Sequence, residues 1–176
     1  MKKIEPEFFT HDKVNGILET YQTFEGKHEH NSALSACIVE DFDFSGIELS
    51  DILAIGSTFI RCKFIGCDLN TANLSKSKFI AADFSRANLC KANFYRVEAK
   101  NACFDRTNCG GAEFDEANLS GATFRNVDFG GASFVDCDLS NAIFDGSDLT
   151  YVSAGINRLD NTNWLNVKGG RLVRQR

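Results

Sequence analysis

The chain of 176 residues has one Pro, one Trp, one Met and three His, and no apolar run approaches the roughly 18 residues of a membrane-spanning helix. Without Pro-rich or Ser/Gly-rich stretches there is no candidate linker, so one domain is expected. The opening MKKIEPEFFT is basic but lacks the apolar stretch of a secretory signal, which predicts a cytoplasmic location. His11, His28 and His30 all precede the pattern described below. No Ser/His/Asp or Cys/His arrangement, phosphate-cradling Gly loop or carboxylate-pair motif is present, so the chain is expected not to be an enzyme and to need no cofactor. His28 and His30 flank Glu29, but two loop histidines are ordinarily solvent-facing, and no metal site is assigned. The seven Cys are odd in number and form no CxxC pair, which argues against a disulfide framework or a zinc site. A net charge of -5 and a pI near 5.2 do not suit a general nucleic-acid binder.

What the chain does have is a repeat. Every fifth residue from Val39 to Trp164 gives 26 positions, of which 20 are Phe or Leu. Two residues before each stands a smaller class, including Cys62, Cys67, Ala72, Ser77, Ala82, Ala87, Ala92, Val97 and Ala102. A period of five fits neither a helix nor a long strand, but two inward residues separated by one outward residue make a three-residue edge followed by a corner. Between and after them come Asp, Asn, Ser, Lys, Arg and Gly, as in CDLN, ANLS and ADFS, which suit solvated edges and tight corners.

This pattern, running in register from residue 37 to about 168, resembles the pentapeptide-repeat family, whose unit is written A(D/N)LXX. The resemblance implies an all-β solenoid: a right-handed quadrilateral β-helix with four units per coil. About six and a half coils at the ~4.8 Å strand spacing give a rod roughly 30 Å long. Residues 20 apart should then stack, and Phe44, Phe64, Phe84, Phe104, Phe124 and Phe144 form one such column ending at Trp164. Cys37, Cys62, Cys67 and Cys137 fall in the small class and Cys109 at a central position, so they read as packing residues.

The domain division is a capping segment over 1–36, the β-helix over 37–168 and a basic tail over 169–176. Thr10 as N-cap, then Val14, Ile17, Leu18 and Tyr21 at helical spacing, with Gly26 as a stop, predict a short amphipathic helix over about 10–25. Leu53, Ile55, Ile60, Ile65 and Ile80 point outward from the early coils, with Ile60 below Ile80. They form either a surface covered by that helix or a docking patch. Trp164 is expected to close the Phe column. End-to-end pairing through the last coil leaves the chain a monomer or a homodimer.

Charge is uneven along the rod. Lys76, Lys78, Arg86, Lys91, Arg96, Lys100 and Arg106 occupy the middle coils, whereas Glu113, Asp115, Glu116, Asp128, Asp136, Asp138, Asp145 and Asp148 dominate the later ones. Asp105, Arg125 and Asp145 stack as an alternating ladder. Lys76, Arg96, Glu116 and Asp136 form another column, where Glu116 and Asp136 are adjacent like charges. The candidate partner-binding acidic edge is therefore Glu113, Asp115, Glu116, Asp128, Asp136 and Asp138.

Two readings of function follow. One is a noncatalytic protein–protein interaction module, a rigid rod presenting a patterned surface to a partner protein. The alternative is mimicry of DNA: the chain resembles the quinolone-resistance pentapeptide proteins, acidic rods that occupy the DNA groove of type II topoisomerases, which would make DNA gyrase the partner. Neither reading involves direct nucleic-acid or membrane binding.

Overall fold

The computed structural model describes residues 6–23, 32–170 and 172. The five N–H groups of unit 87–91 show how the repeat satisfies its backbone. Ala87 N donates to Phe84 O at 2.9 Å across the corner, and Asn88 N to Cys67 O of the preceding coil at 2.9 Å. Leu89 N and Lys91 N donate to Asn108 O and Gly110 O of the following coil, at 2.8 and 2.9 Å. The fifth, Cys90 N, is taken by the Asn88 side chain at 3.3 Å. No donor is left over, as buried backbone requires. Parallel pairing at a 20-residue step recurs from Asp43↔Lys63 to Asp148↔Lys168, making the chain a parallel β-helix.

The corners are tight turns whose third residue has positive φ. Lys76, Arg86, Lys91, Arg96, Arg106 and Glu116 stand at φ 56 to 62°, and Gly46, Gly56, Gly66, Gly111 and Gly121 take the same place in their units. With the hydrogen bond from the fourth residue to the first, this is a type II turn.

Longer strands form on one edge. β1 (Glu7–Phe9), β2 (Cys37–Glu40), β3 (Thr58–Ile60) and β4 (Lys78–Ile80) make a parallel sheet in that order. In β2, β3 and β4 the Asp or Asn of the repeat is replaced by Ile38, Thr58 and Lys78. No turn-forming carboxylate or amide competes there, and the corner residues Glu40, Ile60 and Ile80 join the ladder. β5 (Ser133–Phe134) and β6 (Ser153–Ala154) pair likewise.

β1 was not anticipated: it lies outside the repeat and pairs with a segment 30 residues away. It leads into α1 (His11–Thr23), where Thr10 Oγ1 accepts from Lys13 N at 3.3 Å as N-cap. Val14, Leu18 and Tyr21 are buried, and Ile17 is partly buried against the same core. The rest of the expected 10–25 helix, including Gly26, lies outside the described residues.

Inside the coils, Phe44, Phe64, Phe84, Phe104, Phe124, Phe144 and Trp164 stack face to face, with successive centroids 4.7 to 4.9 Å apart and ring planes within 15°. A second ladder runs beside it and changes edge. Phe59 stacks on Phe79 at 5.2 Å, then Phe94, Phe114 and Phe134 continue on the neighbouring edge at 5.0 and 4.8 Å. The ladders meet edge to face, as in Phe84–Phe94 at 5.8 Å and 76°. The small class is buried at the corners. Its serines also carry hydrogen bonds: Ser77 Oγ donates to Ala54 O and accepts from Ser57 N at 3.0 Å.

All seven cysteines are free; Cys37, Cys62, Cys67, Cys109 and Cys137 are buried, whereas Cys90 and Cys103 are partly exposed. Burial pushes the Cys62 thiol up to about 11, and those of Cys67, Cys109 and Cys137 to about 12. A thiol reagent at about pH 8 is therefore expected to label Cys90 and Cys103 in the native protein and the other five only on unfolding; mass mapping of the labelled sites checks this. Phe104→Ala removes one ring from the continuous stack and is expected to cost about 3–5 kcal/mol, read from the shift of a chemical-denaturation curve.

Candidate functional site

The structure disperses the six residues of the acidic edge and gives four of them structural work. Asp128 and Asp138 occupy the Asx position of their units, where Asp128 accepts from Gly130 N at 2.9 Å and Asp138 from Ser140 N at 3.0 Å. Asp115 supports the next coil, accepting from Val135 N at 2.9 Å and Ser133 Oγ at 2.6 Å. In that unit Ser133 stands where an Asx would otherwise cap its own turn. Glu116 accepts from Arg96 Nε at 2.6 Å and from Tyr95 Oη at 2.9 Å, while the Arg96 guanidinium lies over the Tyr95 ring. The bonds from Arg96 and then Tyr95 hold the Glu116 carboxyl below the usual glutamate range. Only Glu113 and Asp136 make no side-chain hydrogen bond or ion pair among the described residues.

Position divides them further. Asp128 pairs in register with Asn108 and Asp138 with Asn118, on edges half a 20-residue coil apart, so the two carboxylates leave the rod on opposite sides. Glu116 and Asp136 share a corner column, but Glu116 belongs to Arg96 on the coil before it. In the alternating ladder, Arg125 Nη1 reaches Asp105 Oδ2 at 3.1 Å and Arg125 N bonds the same carboxylate at 2.9 Å. Asp145 adds no ion pair to that ladder among the described residues.

The apolar candidates occupy three corners. Ile60 and Ile80 are register partners on the sheet edge. Leu53 and Ile55 flank the corner of the preceding unit, and Ile65 stands on the corner of the following one. Leu53, Ile55, Ile60 and Ile65 are partly buried, whereas Ile80 is 50% exposed. The contacts of α1 go elsewhere: His11 Nε2 donates to Glu40 O at 2.9 Å, its ring meets Phe42 edge to face, and Tyr21 Oη donates to Ser50 O. The helix thus packs at the first coil.

Two outward residues missed in the sequence extend the Ile60/Ile80 surface. Phe8, 56% exposed, lies beside Ile38 in the β1–β2 register. The available signal was Ile38, one residue before the central position of its unit, where Asp and Asn are the commonest residues. Phe8 carried no such signal, because nothing in the sequence places β1 in the sheet. At the other end of the rod Tyr151, Ile156 and Leu165 are exposed, and Leu172 is buried, with its carbonyl accepting from Asn157 Nδ2 at 3.4 Å. His28, Glu29, His30 and tail residues 171 and 173–176 lie outside the described residues. Among the described residues no cluster of three or more His, Cys, Asp or Glu could hold a metal ion.

Comparison with known proteins agrees with this geometry at the level of the repeat. Residues 77–153 match the family model described as a pentapeptide repeat region. No curated protein sequence matches the chain. Among solved structures, it is similar to Rfr23, a pentapeptide repeat protein from the cyanobacterium Cyanothece 51142, at 25% identity over 57% of this chain and 63% of that one, with a TM-score of 0.39. It is also similar to a trypsin-treated form of QnrB1, a plasmid-mediated fluoroquinolone resistance protein, at 21% identity over 81% of each chain and a TM-score of 0.47. A third is HetL from the cyanobacterium Nostoc sp. strain PCC 7120, a pentapeptide repeat protein involved in heterocyst differentiation regulation, at 19% identity over 76% of this chain and 79% of that one, with a TM-score of 0.23. The pentapeptide repeat model thus covers 77–153, and the same 20-residue pairing continues on both sides of that region.

Proposed function

We propose that this chain is a noncatalytic protein-binding module of the cytoplasm: a rod of about six and a half coils over 37–168, closed at its first coil by segment 1–36, that presents a fixed lattice of side chains to a partner protein. The observation that carries the reading is the backbone accounting of the repeat. Each N–H of a unit such as 87–91 is held by a neighbouring coil, a corner or an Asx side chain, so outward groups stand at set spacings of ~4.8 Å between coils. Such a surface is pre-organised, and little ordering entropy is lost when a partner docks. The stacked rings fill the interior, so a ligand would have to bind outside. The last coil, with Tyr151, Ile156 and Leu165 exposed, is the surface through which a second copy would join.

Mimicry of DNA at gyrase has less support. It needs a continuous line of free carboxylates, whereas Glu116 is paired with Arg96, Asp115 and Asp138 are engaged with backbone, and Asp128 faces away from Asp138.

Two assays test the reading. Native capture on the immobilised chain, compared across variants with two charge reversals on one edge each, is expected to lose its partner for one edge only; equal retention by every variant would overturn a patterned interface. A supercoiling assay with DNA gyrase is expected to show no inhibition at a large excess of protein. Inhibition abolished by Glu116→Lys, Asp136→Lys and Asp138→Lys together would replace this function with DNA mimicry.

A further inference from the structure

The outer face of the β1–β4 sheet carries two columns of side chains that change character at one level. The first runs Phe8, Ile38, Thr58, Lys78; the second runs Glu40, Ile60, Ile80 and, one coil on, Lys100. Residues two apart in a strand share a face, so the columns lie side by side ~7 Å apart and form one stripe. Toward the first coil the stripe carries Phe8, 56% exposed, with Ile38, Ile60 and Ile80, the last 50% exposed, and it is bordered by Glu40, which is held by Arg61. Beyond Ile80 it is charged, with Lys100 in the second column and Glu98, paired with Lys78, in the first.

At that boundary Lys78, Ile80, Ala81, Glu98 and Lys100 line a recess of about 390 Å³. Its floor is apolar and its far wall is charged. Lys78 is tied to Glu98 at 3.1 Å, whereas Lys100 makes no ion pair within 4 Å among the described residues and feels Asp138 only at longer range, so the side chains lining the recess carry a net positive charge. About half of the equivalent outward positions elsewhere on the rod are Asn or Asp engaged with their own turns, as at Asp68, Asn73, Asp83 and Asn118. Here the repeat has given up that turn chemistry on three successive coils, and apolar side chains stand out instead.

We infer that this stripe is a docking site for an extended segment of a partner protein that carries two apolar side chains followed by a carboxylate. The apolar pair would cover Ile60 and Ile80, and the carboxylate would reach Lys100. An extended occupant lying along the rod axis has the reach: Ile60 to Lys100 spans two coils, ~10 Å, which about three residues of extended chain cover. The pattern expected in the partner is therefore apolar–x–apolar, with Asp or Glu within the next two or three residues. Charge complementarity selects the acidic end, and the exposed Phe8 and Ile80 select against a nucleic acid, whose outer face is phosphate.

The inference deepens the protein-binding reading above and rests on it. Its probe is a displayed library of random 12-residue peptides selected on the intact chain, with the enriched peptides then synthesised and titrated. Enrichment of the apolar–x–apolar–acidic pattern is expected, with binding weakened at least tenfold by both Ile80→Glu and Lys100→Glu and unchanged by Arg106→Glu on a different corner. Lys100→Glu replaces one exposed side chain by another, so it stays informative if Ile80→Glu perturbs folding, which a denaturation curve detects. Replacing the peptide carboxylate by lysine is expected to restore binding to Lys100→Glu. No enrichment, peptides without an acidic position, or equal binding to wild type and both variants would overturn the site. If native capture still retains a partner on another edge, the general function stands and only this location falls.

Discussion

The rod depends on one hydrogen bond repeated at its corners, from the N–H of a residue at positive φ to the carbonyl 19 residues later, as in Lys76 to Tyr95, Lys91 to Gly110 and Arg96 to Asp115. A left-handed residue other than glycine costs about 1–2 kcal/mol, and one backbone hydrogen bond contributes about 0.5–1.5 kcal/mol net. A single corner would therefore not hold itself. It persists because the coils on either side fix the same turn through separate bonds, and because the stacked Phe rings bury the edges between corners. Stability is then a sum over neighbouring coils, as in other solenoids, and the ends are where it must be supplied differently.

Those ends are built from different materials. At the first coil β1 continues the parallel ladder, and α1 lays Val14, Leu18 and Tyr21 against the core, with Tyr21 and His11 donating to carbonyls of Ser50 and Glu40. At the last coil Trp164 completes the aromatic column, and Asn157 ties Leu172 back to the rod. The Asn157 side chain also bonds Cys137 N and Phe134 O, doing with an amide what the regular corner does with backbone.

The same accounting reassigns the charged surface. A carboxylate one residue before the central Phe or Leu is first a turn component: Asp43, Asp68, Asp83, Asp128, Asp138 and Asp148 each accept the N–H two residues on. Their abundance lowers the net charge while their carboxylate oxygens serve the turns. Where the repeat departs from Asx, as at Ile38, Thr58 and Lys78, the turn chemistry is absent and the outward surface becomes distinctive.

The sequence by itself determined the repeat and its alternation of large and small inward side chains, because a period of five fits neither a helix nor a long strand; the 20-residue stacking came from the resemblance, and the column from Phe44 to Trp164 agreed with it. The sequence also determined the core of α1, since Thr10, Val14, Leu18 and Tyr21 carry a local helical signal. The second Phe ladder was equally present, in Phe94, Phe114 and Phe134 at the same 20-residue spacing, but its change of edge after Phe79 breaks the simple column count. Only the tertiary structure decided that β1 joins the sheet, that Asp115 braces the next coil and Glu116 belongs to Arg96, and that Phe8, Ile38, Ile60 and Ile80 make one stripe. The physical reason is the same for each: these are contacts between residues 20 or 30 apart in the chain, made by outward side chains and a terminal strand whose partners are chosen by coil stacking rather than by local pattern.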